Sequence, residues 1–180
     1  MSGSPPLRIL LVGFMGSGKS AVGADLAMRL GWRFADADDV VEQERGVLIE
    51  HIFSTLGEAR FREIEHEVMQ ALLKEDQVVV ASGGGWAAQP GRLSDLGVGT
   101  TTVWLRVGAE EAVRRAANQA HQRPMLSGPN PLGAARELLL LRTSHYAQSQ
   151  HEVDTEGFSV EDVSIRVMEL VGLDGPKGRH

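Results

Sequence analysis

The chain has no cysteine among its 180 residues. Disulfide bonds, catalysis by a thiolate, and zinc or iron–sulfur centres held by cysteine are therefore excluded within it. The six histidines show neither the H-E-x-x-H spacing nor another paired metal-binding spacing. We therefore predict structural or solvent-exposed roles for the histidines.

Basic residues are outnumbered by acidic ones. Lys and Arg total 18 against 24 Asp and Glu, which gives a formal net charge of −6. Because nucleic-acid backbones select positively charged surfaces, no nucleic-acid partner is expected. A single locally basic pocket could still bind a small anion.

Long apolar runs are absent as well. No stretch approaches the roughly 18 apolar residues that a membrane helix requires. The first apolar run, residues 9–12, is too short for a secretory signal and leads into glycines. We therefore expect a cytoplasmic protein with no membrane partner.

Repeats and low-complexity linkers are also lacking, which favours one domain over residues 1–180 with a core at 7–173. The ends at 1–6 and 174–180 have the composition of frayed tails and are expected to be disordered. The stretch at 118–133 is rich in proline, glycine and polar residues, which is typical of a mobile lid between helices. A monomer is the expected state.

What is present is an alternation of two patterns in a chain that is 42% hydrophobic. Short continuous apolar runs are typical of strands buried on both faces, and they alternate with helical patterns. The predicted strands are residues 8–12, 32–35, 78–81, 102–107 and 152–154. The predicted helices are residues 20–30, 58–73, 109–117, 132–146 and 160–170. The alternation predicts the α/β class, as a three-layer α/β/α fold around a parallel sheet of about five strands, with ligands at the carboxyl ends of the strands.

The first predicted strand runs into Gly13-Phe14-Met15-Gly16-Ser17-Gly18-Lys19-Ser20, a complete match to G-x-x-x-x-G-K-[ST]. Glycines at these positions allow backbone N–H groups to surround a phosphate at the positive end of the next helix. Lys19 would reach the β- and γ-phosphates, and the Ser20 hydroxyl would bind Mg²⁺. The pattern predicts a nucleotide-binding phosphate loop.

Two other nucleotide-binding classes fit less well. Residues 16–21 also match the dinucleotide pattern G-x-G-x-x-G/A, but that pattern is weak alone and does not explain the Lys–Ser pair. A dehydrogenase with this pattern would also need a separate substrate domain, for which the chain is too short. A signalling GTPase would carry an Asn-Lys-x-Asp sequence, which is absent, and the Asp-x-x-Gly at 154–157 lies too near the C-terminus.

Asp36 and Asp38 follow the second predicted strand. On an extended backbone, residues two apart project to the same side, which predicts that both carboxylates face the crevice beside the phosphate loop. One could hold Mg²⁺ through water while the other accepts a hydrogen bond from a substrate hydroxyl. Alternatively, Asp38 or Asp39 simply caps the next helix.

The third predicted strand runs into Gly83, Gly84 and Gly85. Without Cβ atoms at the sheet edge, a ring-shaped ligand could lie against the backbone there. A flexible turn is the alternative, although it would not need three glycines.

Upstream, Arg62 and Glu65 lie three residues apart on a predicted helix, and this spacing alone favours a surface ion pair.

Three further arginines are candidates with open roles. Arg123 lies in the predicted lid and could close over the transferring phosphoryl group, or it could be an idle surface residue. Arg115 and Arg142, taken singly, are ordinary helix arginines.

Taken together, the motifs resemble the shikimate kinase family from Gly13 to about Asp154. The specific parts are the phosphate loop, Asp36-x-Asp38 followed by Glu42, Gly57-Glu58-x-x-Phe61-Arg62-x-x-Glu65, the three glycines, Arg123-Pro124 and Arg142-x-x-x-Tyr146. Trp86, where a small residue is usual, and Ser144, in place of a proline, depart from the family pattern. The resemblance implies a nucleoside-monophosphate-kinase-like fold and the Mg²⁺-dependent transfer of phosphate from ATP to the 3-hydroxyl of shikimate, giving shikimate 3-phosphate and ADP.

The resemblance also implies a role for each matching residue. Lys19, Asp38 and Arg123 would be catalytic. The ATP site would comprise Gly13, Gly16, Ser17, Gly18, Lys19, Ser20, Ala21, Arg115 and Arg123. Shikimate would be bound by Asp38, Arg62, Gly84, Gly85 and Arg142, with the two arginines on its carboxylate. Ser20 and, through water, Asp36 would hold Mg²⁺.

The expected partners are thus shikimate and ATP. The residues leave open a P-loop kinase of another small hydroxylated acid or of a nucleotide. A nucleotide-binding regulatory module without turnover is a further alternative.

Overall fold

The computed structural model describes residues 6–117 and 128–173. Its strands are β1 (Arg8–Val12), β2 (Arg33–Asp36), β3 (Val78–Ala81), β4 (Thr100–Arg106) and β5 (His151–Asp154). Its helices are α1 (Lys19–Leu30), α2 (Ala37–Arg45), α3 (Ile49–Leu72), α4 (Ala109–Ala117), α5 (Pro131–Tyr146) and α6 (Val160–Val171). In the described ranges, no helix is both long enough and apolar enough to cross a membrane.

The five strands form one parallel sheet in the order β2-β3-β1-β4-β5. Every residue of β1 and β3 is buried. Along β1, Ile9 and Leu11 join the core beneath α1 and α6, whereas Leu10 and Val12 join the core beneath α3. Successive side chains of one strand therefore fill two separate cores. This confirms the predicted three-layer α/β/α fold with a five-stranded parallel sheet.

The strand order decides which loops meet. Because β3 lies between β2 and β1, the carboxyl ends of these three strands are adjacent. Strand β2 ends at Asp36, β3 leads into the three glycines, and β1 leads into the phosphate loop. The ends of β4 and β5 lie on the other side of the phosphate loop.

The region after β2 differs from the prediction. The strand is Arg33–Asp36 rather than 32–35, and α2 starts at the next residue. The Asp36 carboxylate accepts a hydrogen bond from the Asp38 N–H at 3.0 Å and so caps α2. The alternative in which Asp38 or Asp39 is the cap is therefore wrong.

Helix α3 extends further toward the N-terminus than the predicted 58–73. It begins at Ile49, and a kink at Gly57 separates two helical segments. Gly57 has φ 80° and ψ 168°, a conformation open essentially to glycine alone. The predicted helix corresponds to the segment after this kink, which carries Arg62 and Glu65.

We expect Gly57→Ala to lower the free energy of unfolding by about 1–3 kcal/mol, because alanine is strained at this φ and ψ. A Cβ there would meet nothing within 4 Å, so a steric clash does not contribute. Denaturant unfolding measures the loss. Gly97→Ala is the matched control, since its Cβ would also meet nothing within 4 Å and its φ is not in the left-handed region. Equal losses in the two variants would contradict this account of the kink.

Candidate active site

The phosphate loop joins β1 to α1 and is packed tightly from behind. A Cβ at Gly13 would collide with the Leu105 carbonyl oxygen, and Gly13 has φ 148°. A Cβ at Gly16 would lie 2.8 Å from the Ala112 carbonyl oxygen. These two glycines are required by close approach of the backbone to β4 and α4, as well as by the curvature of the loop.

Lys19 and the start of α1 form the positive part of this loop. The Lys19 Nζ donates hydrogen bonds to the carbonyl oxygens of Gly13 at 2.9 Å and Phe14 at 3.0 Å. The residue before α1 is Gly18, which supplies no side-chain cap. The Ser17 hydroxyl is buried and has no hydrogen-bond partner among the described residues. Uncapped N–H groups beside a lysine are suited to binding an anion.

Ser20 and Asp36 provide oxygen atoms at the edge of the loop. The Ser20 hydroxyl donates to the Asp36 carboxylate at 2.5 Å, and the Asp38 N–H holds the other Asp36 oxygen. Mg²⁺ prefers oxygen ligands and usually takes only one or two from the protein together with waters and substrate phosphates. The pair fits such an ion.

Asp38 faces a different part of the site from Asp36. It is the second residue of α2, so the prediction that both carboxylates project from an extended backbone is wrong. Its Oδ1 atom lies 3.0 Å from the position that a Cβ at Gly83 would occupy. The turn into α2 thus directs Asp36 toward the phosphate loop and Asp38 toward the glycines.

Arg62 and Glu65 form a pair in which the glutamate is buried and the arginine is partly buried. Arg62 Nη1 donates to the Glu65 carboxylate at 2.7 Å, and Glu65 is 1% exposed. Burial raises the pKa of Glu65, although the neighbouring Arg62 acts in the opposite direction. The prediction of a surface ion pair is therefore wrong, because the face of α3 that carries Arg62 and Glu65 packs against the glycine segment.

The three glycines serve the protein's own side chains as well as any ligand. A Cβ at Gly85 would collide with the Arg62 guanidinium, and a Cβ at Gly83 would collide with the Glu65 carboxylate. Only at Gly84 are the nearest atoms, among them Arg142 Nη1 at 3.7 Å, at ordinary contact distance. Two of the three missing Cβ atoms therefore make room for Arg62 and Glu65. Ring binding against Gly84 and Gly85 stays a prediction.

Arg142 comes to the same place from α5. It is buried, and its Cζ lies 6.0 Å from the centre of the Phe14 ring. Since Arg142 approaches Gly84 and Arg62 packs on Gly85, the two guanidinium groups flank consecutive residues. Sequence patterns within one helix do not reveal this convergence, because Arg62 lies on α3 and Arg142 lies on α5.

Arg115 anchors the phosphate loop on its other side. It donates to the Gly16 carbonyl oxygen at 3.1 Å, to the Thr155 carbonyl oxygen at 2.9 Å and to Glu111 at 2.6 Å. Together with Arg114 it lowers the pKa of Glu111 to about 2. Thr155 was missed by the sequence reasoning, since only β5 pairing with β4 brings it here.

The other predicted residues divide into two groups. Ala21 lies in the first turn of α1, beside Ser20. Arg123 lies outside the described residues, as does most of the predicted lid. The last lid residues, 131–133, form the first turn of α5, where the Asn130 side chain accepts a hydrogen bond from the Gly133 N–H at 2.9 Å.

Two aromatic residues near the glycines, Tyr146 and Trp86, were not among the predicted site residues. The Tyr146 hydroxyl donates to the Gly84 carbonyl oxygen, and the Tyr146 side chain is fully buried. Trp86 is also buried, so it is a core residue, and within residues 6–117 and 128–173 its Nε1 has no hydrogen-bond partner. The four-residue spacing between Arg142 and Tyr146 was the available signal for the tyrosine.

The phosphate loop at the end of β1 lies beside the glycines at the end of β3, where Arg62 and Arg142 converge, so that two anions could be bound next to each other. That is the arrangement of a P-loop kinase, which moves a phosphoryl group from a nucleotide to a second bound molecule.

Comparison with known proteins identifies the family. A family model described as shikimate kinase matches residues 15–171. A shikimate kinase of Synechococcus sp. (strain RCC307) is 41% identical over 167 residues, which cover 92% of this chain and 85% of that protein. One of Symbiobacterium thermophilum is 40% identical over 174 residues, which cover 96% and 100%. The structure of the shikimate kinase from Acinetobacter baumannii in complex with shikimate is 32% identical, with a TM-score of 0.86 over 93% of each chain. This chain belongs to the shikimate kinase family, and its activity is the ATP-dependent phosphorylation of shikimate.

Proposed function

We propose that Arg62 and Arg142 bind the shikimate carboxylate, that Asp38 orients its 3-hydroxyl, and that the phosphate loop presents the γ-phosphate of ATP in line with that hydroxyl. The observation that carries this proposal is the convergence of Arg62 and Arg142 on Gly84 and Gly85. It explains why a chain of net charge −6 brings one buried and one partly buried arginine together.

On the acceptor side, the arginines are held before any ligand arrives. Arg62 is fixed by Glu65, and Arg142 is packed beside the Phe14 ring. Guanidinium groups bind carboxylates through paired hydrogen bonds, which fixes the orientation as well as the position of the acid. With its carboxylate fixed, the ring of the acceptor is oriented relative to Asp38.

Asp38 acts mainly by orientation. Phosphoryl transfer passes through a loose transition state in which little negative charge has to be created on the attacking oxygen. An ordinary carboxylate is a weak base at neutral pH. Asp38 therefore accepts a hydrogen bond from the 3-hydroxyl first and takes its proton late in the reaction.

On the nucleotide side, Lys19 exchanges its two carbonyl partners for oxygens of the β- and γ-phosphates. Ser20, directly, and Asp36, through water, would hold Mg²⁺, which would neutralise phosphate charge. Arg123 closes over the phosphates, and Arg115 contacts the adenine from its place beside the phosphate loop.

We further propose a monomeric enzyme of the cytoplasm that binds neither nucleic acid nor membrane.

The test is Arg142→Ala. We expect the KM for shikimate to rise about 100-fold, since a buried charge-assisted contact is removed, while the KM for ATP stays within about 2-fold. A coupled assay of ADP release measures both. Arg136→Ala is the matched control, because Arg136 lies on the same helix, is exposed and pairs with Glu110. Equal effects of Arg142→Ala on both substrates would exclude a carboxylate clamp.

A further inference from the structure

Tyr146 is the single tyrosine of the chain and the last residue of α5. Its side chain is 0% exposed, and its ring lies 6.0 Å from that of Trp104 between ring centres. The hydroxyl reaches across to the glycine segment and donates to the Gly84 carbonyl oxygen. One buried hydroxyl thus links the helix that carries Arg142 to the backbone at the acceptor site.

The hydrogen bond sets the orientation of a peptide group. In a planar trans peptide, the carbonyl oxygen and the following N–H point in opposite directions. With the Gly84 oxygen turned toward Tyr146, the Gly85 N–H is turned away from it. Gly85 is buried, and within residues 6–117 and 128–173 its N–H donates to no protein acceptor. Buried N–H groups without an acceptor are rare, which indicates that a ligand oxygen fills the place.

Tyr146 also interacts with Arg142, one helical turn earlier. Burial raises the pKa of Tyr146 to about 12, and the charge of Arg142 and its hydrogen bond with Tyr146 act in the opposite direction. The phenol therefore keeps its proton at every physiological pH and remains a donor to Gly84. Arg142 itself lies next to Gly84, so the tyrosine contacts two groups that face one ligand.

We propose that Tyr146 is a positioning residue for the acceptor, which holds Arg142 and the Gly84–Gly85 peptide so that both donate to the same carboxylate. The inference rests on the proposed carboxylate site. It assigns the geometry of that site to a side chain that touches neither substrate. A phenylalanine would fill the same space but could not fix the peptide.

The first experiment compares binding of shikimate and of its uncharged methyl ester by titration calorimetry. For Tyr146→Phe, we expect the dissociation constant for shikimate to rise about 10-fold and that for the ester to change by less than about 2-fold. Thr143→Val is the control, because it removes a hydroxyl that donates to the Leu139 carbonyl oxygen of the same helix, at 2.7 Å. Equal losses for the acid and the ester, or no loss, would overturn the inference.

Arg142→Ala, titrated with the same two compounds, separates this inference from the proposed function. If Arg142→Ala weakens binding of the acid selectively and Tyr146→Phe does not, the inference fails and the carboxylate site stands. If neither variant distinguishes the acid from the ester, both fail.

The second experiment needs no substitution. Because the chain has one tyrosine, protein labelled with ¹³C-tyrosine gives one set of ring signals. We expect shikimate to shift these signals and the methyl ester to shift them clearly less, since only the acid brings a charge next to Arg142 and Gly84. Signals that do not move with shikimate would overturn the inference even if Tyr146→Phe failed to fold.

Discussion

Lys19→Ala is expected to reduce kcat by at least about 10²- to 10³-fold, the loss typical of removing one preorganised group that stabilises transition-state charge. The lysine sits 9% exposed at the start of α1, with its ammonium group on the carbonyl oxygens of Gly13 and Phe14. In the proposed mechanism, the same group neutralises the phosphate oxygens as charge moves to the leaving ADP. The other lysine among the described residues is Lys74, which lies two residues after α3 and not at this loop.

The fold should survive this change. Lys19→Ala removes two hydrogen bonds to the loop but leaves the packing of Gly13 and Gly16 against β4 and α4 in place. Thermal unfolding of Lys19→Ala should therefore resemble that of Lys74→Ala, the exposed control, whose turnover we expect to be unchanged. An active Lys19→Ala enzyme would disprove the role given to the phosphate loop.

Asp38→Asn is expected to lower kcat by about 10²-fold or more with little effect on the KM for ATP. The amide keeps the shape of the side chain but has no negative charge to hold the hydroxyl proton. The Asp38 carboxylate approaches Gly83, whereas the Asp36 carboxylate accepts a hydrogen bond from the Ser20 hydroxyl. The loss should therefore appear in the chemical step and the acceptor, and not in nucleotide or Mg²⁺ dependence.

Asp39→Asn provides the matched control. Asp39 is the next residue of the same helix but is exposed. Steady-state kinetics with varied shikimate, ATP and Mg²⁺ would compare the two variants. Similar losses of kcat in both would show that the amount of negative charge on α2 matters, and not the position of the Asp38 carboxylate.

Much of the fold could be predicted because it depends on local patterns. Buried parallel strands need continuous apolar runs, and β1 and β3 match the predicted bounds completely. Helix α4 also matches its predicted bounds. The region from 33 to 45 was harder, since the end of β2 and the start of α2 depend on one side-chain cap, Asp36 on the Asp38 N–H.

The site was predictable to a smaller degree. The phosphate loop could be identified because all of its residues are contiguous. Glu65 could not, since a Glu three residues after an Arg has the same sequence pattern whether the pair is exposed or buried. Tyr146 and Thr155 contact Gly84 and Arg115 across 62 and 40 residues of chain, respectively, and no short-range pattern encodes such pairs.

The sequence by itself determined the phosphate loop, the alternation of strands and helices and, through its combined motifs, the family. Only the tertiary structure decided that β3 lies between β1 and β2, that Arg62 and Arg142 meet at the glycines, and that two of those glycines make room for protein side chains. The reason is physical. Hydrogen bonding and periodicity act between residues close in the chain, whereas burial and charge pairing depend on which distant segments the sheet brings into contact.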